Sequence, residues 1–200
     1  AFYSLVAVMD DSGTLVASAS TAGTIEIRSS RDGVLKNQIE YIDDLPIQKL
    51  LFAKQGQALV SLSSDTRIRA WDVNDGTSIF DGWATEVFVT GPGKEVVIFV
   101  HQSTAYVFNL DSEQHIEQFG VPRYASPPSA IFLDASDPAS YVVFGGESQG
   151  AWLYSRGTSN YDFLAQGSAS RSPAVAITPS TTGEQFLRVT EDFTAEVFPE

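Results

Sequence analysis

Four glycines precede an aromatic or basic residue by the same distance, and this fixed interval constrains the fold more than any other feature. The interval is 15 residues in each of these pairs: Gly13 and Arg28, Gly56 and Trp71, Gly93 and Phe108, Gly183 and Phe198. With Tyr154 added, the second members of the pairs follow one another at steps of 43, 37, 46 and 44 residues. A constant inner length with variable connections predicts a tandem array of sheets, because packed strands cannot change length whereas loops can.

Each repeat consists of short apolar runs separated by turn residues, which is the pattern of an antiparallel sheet. The predicted sheets occupy residues 4–39, 47–80, 87–119, 129–165 and 174–198. The first four have four predicted strands each, with a short last strand at 78–80 in the second sheet, and the fifth has three. The sequence therefore predicts an all-β chain: a single β-propeller domain or propeller fragment of four-stranded antiparallel blades, with about five blades in this chain.

The best-formed part of the chain is SLSSDTRIRAWDVNDG, residues 61–76. Its strand alternates, so that one face carries Ile68 and Ala70 while the other carries Arg69 and Trp71. A tight turn is predicted at Asn74-Asp75-Gly76, because Gly accepts positive φ and Asp tolerates it. This stretch therefore predicts a hairpin between the third and fourth strands of the second sheet.

The same stretch resembles the third strand of a WD40 propeller blade, in which a turn Asp precedes a strand that closes on Trp-Asp, as Asp65 precedes Trp71-Asp72 here. The whole chain resembles five consecutive WD40 units with degenerate motifs, since only the second unit has Trp-Asp and no unit opens with Gly-His. The resemblance implies a buried hydrogen-bonded set. Asp65, Trp71 and Ser63 would supply three of its members, and the fourth, a His, has no counterpart.

The resemblance also bears on the parent protein. Residues 12–29 (SGTLVASASTAGTIEIRS) and residues 47–76 resemble the propeller regions of fungal NACHT–WD signalling ATPases. The fifth unit lacks an outer strand, so we expect the chain to be a segment of a larger WD40-like propeller with seven or more blades. Quinoprotein-like and lactonase-like propellers, which also have four-stranded blades, remain alternatives.

Charge and composition disfavour several classes of function. Lys and Arg number 12 against 25 Asp and Glu, and the net charge of −13 disfavours direct binding to nucleic acid or to anionic membranes. The chain has no Cys, so disulfides, thiol chemistry and Cys-based zinc sites are excluded. We recognise no apolar run of transmembrane length, no signal peptide and no glycosylation sequon. We expect an intracellular, cytoplasmic location, with the nucleus as the alternative.

Signals for catalysis and metal binding are poor. His101 and His115, which are predicted in a turn and in an outer strand, have no second His or Cys at ligand spacing. We therefore expect no metal, no cofactor and no catalytic residue. The acidic pairs Asp10-Asp11 and Asp43-Asp44 have two interpretations, which are a calcium site and the capping of turns by Asp side chains.

Five loop residues are the predicted contacts for a partner. In a propeller, the loops that lead into the innermost strands gather on one face, and here they are residues 40–46, 81–84, 120–128 and 167–173. They contain aromatic and basic residues of the types enriched at interface hot spots: Tyr41, Trp83, Arg123, Tyr124 and Arg171. The alternative is that Trp83 and Tyr124 cover a blade edge and that the arginines pair with local acids.

The favoured function is a non-catalytic protein–protein interaction scaffold, in which rigid sheets present loops to a protein partner. In the NACHT–WD case it would act together with other domains of a longer parent chain. The alternative is a propeller enzyme or small-ligand binder that uses a polar central channel. The predicted innermost strands are nearly devoid of carboxylates and histidines, which argues against this alternative. A purely architectural set of blades is the third hypothesis.

Overall fold

The computed structural model describes residues 4–21, 23–40, 45–90 and 93–120, and the backbone of seven further strands between residues 130 and 199. These residues form 19 strands. The strands are β1 (Ser4–Met9), β2 (Leu15–Ser20), β3 (Ile25–Ser29), β4 (Leu35–Ile39), β5 (Ile47–Ala53), β6 (Ala58–Ser63), β7 (Arg67–Asp72), β8 (Ser78–Trp83), β9 (Glu86–Thr90), β10 (Val96–His101), β11 (Thr104–Asn109), β12 (Gln114–Gly120), β13 (Ala130–Leu133), β14 (Ser140–Phe144), β15 (Ala151–Ser155), β16 (Asn160–Ala165), β17 (Ala174–Pro179), β18 (Gln185–Thr190) and β19 (Ala195–Pro199).

Consecutive strands form five sheets, and within each sheet every strand lies beside its neighbour in the chain. Four sheets have four strands (β1–β4, β5–β8, β9–β12 and β13–β16) and the fifth has three (β17–β19). The registers resolved in these sheets are antiparallel. The predicted all-β class is confirmed. Within the described part of the chain, no helix is long and apolar enough to cross a bilayer.

The chain divides into two compact units. The first comprises Ala1–His101 and Tyr106–Gln118, and the second comprises Gln102–Ala105 and Phe119–Glu200. The first unit contains the first two sheets and most of the third. The second unit contains the last two sheets, whose strands pair in register, for example with Val142 opposite Leu153 and Leu187 opposite Val197.

The second sheet of the first unit is buried on both faces. One face belongs to a core shared with the first sheet, which we call the first core, and Leu59, Trp71 and Val73 lie in it. The other face belongs to a core shared with the third sheet, the second core, and Ile68 and Ala70 lie there. The predicted alternation of this strand is therefore confirmed. Both faces carry buried apolar residues along β6 and β7 because these strands are packed between the other two sheets.

The last strand of the second sheet is longer than predicted. We predicted a strand at 78–80 and a loop at 81–84, whereas β8 continues to Trp83. It extends because β7 supplies partners opposite its end, with Arg69 facing Asp81 and Arg67 facing Trp83 in the register. The prediction that Trp83 lies in a loop is wrong for this reason.

Two turns explain why glycine recurs. Gly56 has φ +88°, and a Cβ placed there would lie 3.3 Å from the Asp10 carboxylate. Gly76 has φ +75° and closes the predicted hairpin, where its N–H donates to the Asp72 carbonyl at 2.9 Å. In the corresponding turn of the third sheet Lys94 is left-handed, with φ +56°, although Gly93 holds the repeat position. The 15-residue interval therefore marks a turn that contains left-handed backbone, at Gly13 in the first sheet, at Gly56 in the second and at Lys94 in the third.

Candidate interaction surface

A row of charged and aromatic side chains crosses the hairpin formed by β7 and β8. We call it the Trp83 ladder, and it comprises Trp83, Arg67, Asp81, Arg69 and Trp71. Arg67 is opposite Trp83 and Arg69 is opposite Asp81, and both pairs are centred on Asp75 in the hairpin turn. Alternate residues of a strand share one face, so the register brings these side chains together.

One carboxylate holds the two arginines of the ladder. Arg67 donates from Nε to Asp81 Oδ1 at 2.6 Å and from Nη2 to Oδ2 at 2.8 Å, which is a bidentate arrangement. Arg69 Nε donates to Asp81 Oδ2 at 3.2 Å. These hydrogen bonds fix the planes of both guanidinium groups relative to the sheet.

The arginines in turn lie over the two tryptophan rings. The guanidinium carbon of Arg67 is 4.8 Å from the centroid of Trp83, and that of Arg69 is 5.9 Å from the centroid of Trp71. Both distances lie within the range of cation–π contacts. The ladder is therefore continuous from a tryptophan in the first core to one at the end of β8.

Asp81 is ionised at neutral pH. The pKa of Asp81 is lowered chiefly because Arg67 donates hydrogen bonds to it, and bonds and charge from Arg69 add to this effect. Partial burial acts in the opposite direction and is outweighed. The charge on Asp81 is what orients Arg67 beneath the Trp83 ring.

Exposure increases along the ladder. Trp71 and Arg69 are each 7% exposed, whereas Trp83 is 49% exposed. Half-exposed tryptophan on a rigid strand is a residue type enriched at protein interfaces. Among the described residues the other exposed large apolar side chains lie elsewhere, with Met9, Leu35 and Ile116 on other strands and Val34 just before β4. Trp83 is therefore the candidate contact residue of this surface.

Of the five predicted contact residues, one lies within the described part of the chain. Trp83 is described and exposed, although at a strand end and beside Arg67. Tyr41, Arg123, Tyr124 and Arg171 lie outside the described residues. Arg67, Arg69 and Asp81 were not predicted as site residues. Counting outward from the Asn74-Asp75-Gly76 turn would have identified them, because it gives the cross-strand pairs.

Trp71 makes the hydrogen bond that the WD40 resemblance implies, but with a different serine. Its indole Nε1 donates to Ser61 Oγ at 2.9 Å in a buried contact. Ser63 instead donates to Asp65 and to the Arg67 carbonyl, so it closes the turn between β6 and β7. The reason is geometric: Ser61 pairs with Arg69 on the face that Trp71 shares, and Ser63 lies beyond the pairing.

The innermost strands carry more charge than predicted. β9 begins at Glu86, one residue before its predicted start, and Lys49 of β5 lies 2.5 Å from this carboxylate. Lys49 also lies 4.8 Å from the Phe88 ring centroid. The ion pair joins the first strands of two neighbouring sheets. The expectation of innermost strands nearly free of acidic groups is thus corrected at this point.

The remaining candidate ligands have other roles. Asp10 caps its turn by accepting hydrogen bonds from Ser12 and from the Leu15 N–H at 2.7 Å, and Asp11 pairs with Lys94 at 2.6 Å. Burial acts to raise the pKa of Asp10, but the hydrogen bonds from Ser12 and the backbone lower it overall. The hydrogen bonds of Asp10 thus fit the predicted capping of turns by Asp side chains. The other pair, Asp43-Asp44, lies outside the described residues.

The two histidines occupy strands. His101 is the last residue of β10, where a turn was predicted, and His115 lies in the outer strand β12, as predicted. The His115 ring packs edge-on against Phe108, at 5.3 Å between ring centroids, and near Phe80 at 5.7 Å. In the described part of the chain, no three His, Asp or Glu side chains are grouped as metal ligands would be.

Comparisons with known proteins identify the fold. No family model matches the chain, and no curated protein matches it. The chain is similar to a chain in the crystal structure of the mitotic checkpoint complex, with a TM-score of 0.71 and 12% sequence identity. The match covers 94% of this chain and 59% of that chain, so this chain spans less than two thirds of the length of its structural relative.

At this identity the likeness concerns the fold alone. It supports a WD40-like propeller fold, and the five sheets give this chain about five antiparallel blades. A total of 1543 chains of solved structures match, so the fold is common and does not by itself indicate a ligand. The predicted fold class is confirmed.

Proposed function

We propose that this chain is a non-catalytic protein-interaction scaffold and that the Trp83 end of the ladder contacts the partner. The observation that carries the proposal is a half-exposed tryptophan beside a bidentate Arg67–Asp81 pair, on a sheet that contributes residues to two cores. Aromatic residues and arginines are the side chains on which most interface energy depends. A rigid platform reduces the conformational entropy lost on binding.

The proposal also covers the parent protein. The protein partner would act with other blades or domains of a longer chain, in a larger WD40-like propeller of degenerate repeats. The repeat style of residues 12–29 and 47–76 favours the fungal NACHT–WD type, in which this region would sense a partner and release a nucleotide-switch domain. We place the protein in the cytoplasm, with the nucleus as the alternative.

Selection from a random peptide display library on the immobilised 200-residue chain tests the proposed surface. We expect selected peptides to bind the unaltered chain and to lose at least about fivefold in affinity with Trp83→Ala, as hot-spot residues do. Ile116→Ala is the matched control, because Ile116 is also an exposed apolar residue in an outer strand and lies in another sheet. The proposal is refuted if every selected peptide binds the Trp83→Ala and unaltered chains equally.

A further inference from the structure

The ladder ends in an aromatic ring with one cation already beside it. Arg67 lies 4.8 Å from the Trp83 centroid, yet half of the Trp83 surface is accessible. The face of an indole ring attracts cations because its quadrupole is negative above and below the plane. The accessible part of Trp83 is therefore suited to a flat or cationic group.

The exposed charges next to Trp83 are balanced. The Arg67 and Asp81 side chains are 31% and 36% exposed and bind each other through two hydrogen bonds. The second guanidinium, on Arg69, is almost buried and directed at the same carboxylate. Arg67 therefore already has a bidentate carboxylate partner, which disfavours binding of an acidic group at the Trp83 end of the ladder.

The field around the first unit is negative. Residues 1–118 contain 8 Lys and Arg and 16 Asp and Glu, so their net charge is −8. At least six of the eight basic residues already form ion pairs within the unit: Arg28, Lys49, Lys54, Arg67, Arg69 and Lys94. Such a field accelerates the approach of a basic partner and slows that of an acidic one.

From these observations we infer that the partner contacts Trp83 through a basic segment, with a Lys or Arg side chain stacked on the accessible part of the ring. This inference rests on the proposed scaffold function and specifies its partner. Arg67 and the incoming cation would both contact Trp83. Asp81, which Arg67 and Arg69 share, would offset part of their positive charge and thereby reduce the repulsion of the incoming cation.

Titration with three synthetic peptides tests the class of partner. The probes are twelve-residue peptides of alternating glycine with arginine, with glutamate, or with citrulline, which keeps the shape of arginine without its charge. We expect the full chain to bind the arginine peptide and to bind the other two at least about fivefold more weakly. Tighter binding of the glutamate peptide, or equal binding of the citrulline peptide, would overturn the inference.

Substitution at Trp83 separates stacking from general attraction by an acidic protein. Trp83→Leu keeps apolar surface and removes the π face, so we expect about fivefold weaker binding of the arginine peptide, while Ile116→Ala leaves binding unchanged. Circular dichroism and the thermal transition verify that each variant is folded. Raising the salt from about 50 mM to about 500 mM should weaken binding of the arginine peptide to every chain. The ratio of affinities between the unaltered chain and Trp83→Leu should be preserved.

The outcomes distinguish this inference from the proposed function. If the arginine peptide binds the unaltered chain and Trp83→Leu equally, it is attracted by the net negative charge of the protein and not by the Trp83 ring, and the inference fails. Should the display experiment still yield peptides that depend on Trp83, the scaffold proposal stands and the partner is not basic. If neither experiment shows dependence on Trp83, both proposals fail.

Discussion

Trp71 and Trp83 lie at opposite ends of one ladder, and their surroundings give them different roles. Trp71 is buried in the first core and donates its indole hydrogen to Ser61. Trp83 projects from the end of β8 and contacts Arg67. Because a buried indole requires an acceptor and an exposed one does not, we expect substitutions at the two positions to affect different properties.

Trp71→Phe should destabilise the protein by about 1–3 kcal/mol, because the Ser61 hydroxyl would lose its buried partner. Trp83→Phe should change the free energy of unfolding by less than about 0.5 kcal/mol, as exposed positions commonly do. Denaturant unfolding of Trp71→Phe, Trp83→Phe, Ser61→Ala and the double variant Trp71→Phe/Ser61→Ala gives their free energies of unfolding. The double variant measures the coupling energy between Trp71 and Ser61. Strictly additive effects of Trp71→Phe and Ser61→Ala would show that the hydrogen bond contributes nothing.

The Arg67–Asp81 pair gives a prediction for pH dependence. The pKa of Asp81 in the folded chain lies below its ordinary value of 3.8, so the unfolded chain binds the proton more readily. The stabilisation is thus complete above this value and is lost as the pH falls through the folded-state pKa. We expect Asp81→Asn to destabilise the chain at pH 7 and the difference from the unaltered chain to shrink below pH 3.8. Denaturant unfolding from pH 7 to about 2 measures this, and a constant difference would contradict it.

At the scale of elements, short turns determine how the strands of each sheet meet. Asp72, the second residue of Trp-Asp, accepts the Asn74 N–H at 2.7 Å, and Asp75 accepts the Thr77 N–H at 2.8 Å. These Asp side chains stabilise the turn that aligns β7 with β8. The register of that hairpin then places Arg67 opposite Trp83, so the contact surface depends on the turn.

Gly56→Ala tests the requirement at the repeated glycine. We expect a loss of about 1–2 kcal/mol from the left-handed backbone, and more from the approach to Asp10. Gly33→Ala isolates the cost of the left-handed backbone, since Gly33 has φ +71° and a methyl group added there would meet no atom within 4 Å. Gly120→Ala, which has neither a left-handed backbone nor an atom within 4 Å, should be nearly neutral. Thermal unfolding of the three variants ranks their losses of stability, and we expect Gly56→Ala to lose most and Gly120→Ala least. An equal loss at Gly56 and Gly33 would exclude the contribution of Asp10.

At the scale of the whole molecule, the first unit depends on one shared sheet. The second sheet contributes one face to the first core and the other face to the second core. A disturbance in either core therefore reaches the same strands. We expect the three sheets of this unit to unfold together, as tightly packed neighbouring repeats do.

Substitutions in the two cores test this coupling. Ile27→Ala in the first core and Ile68→Ala in the second core should each cost about 2–5 kcal/mol, since both side chains are fully buried. Each should lower the same single transition, followed by circular dichroism and by intrinsic tryptophan fluorescence. If one variant split the transition into two, the sheets would be independently stable and the coupling would be refuted.

The residues alone were enough to predict the period, the antiparallel strands, the turn residues and the alternation of β7. These features are local, because they follow from the conformations that glycine and Asp permit and from the two-residue period of a strand. Contacts between strands set the length of β8, the choice of Ser61 over Ser63, the Lys49–Glu86 pair and the Trp83 ladder. Each of these depends on register and on the reach of side chains between strands, and a small shift in register changes every partner at once.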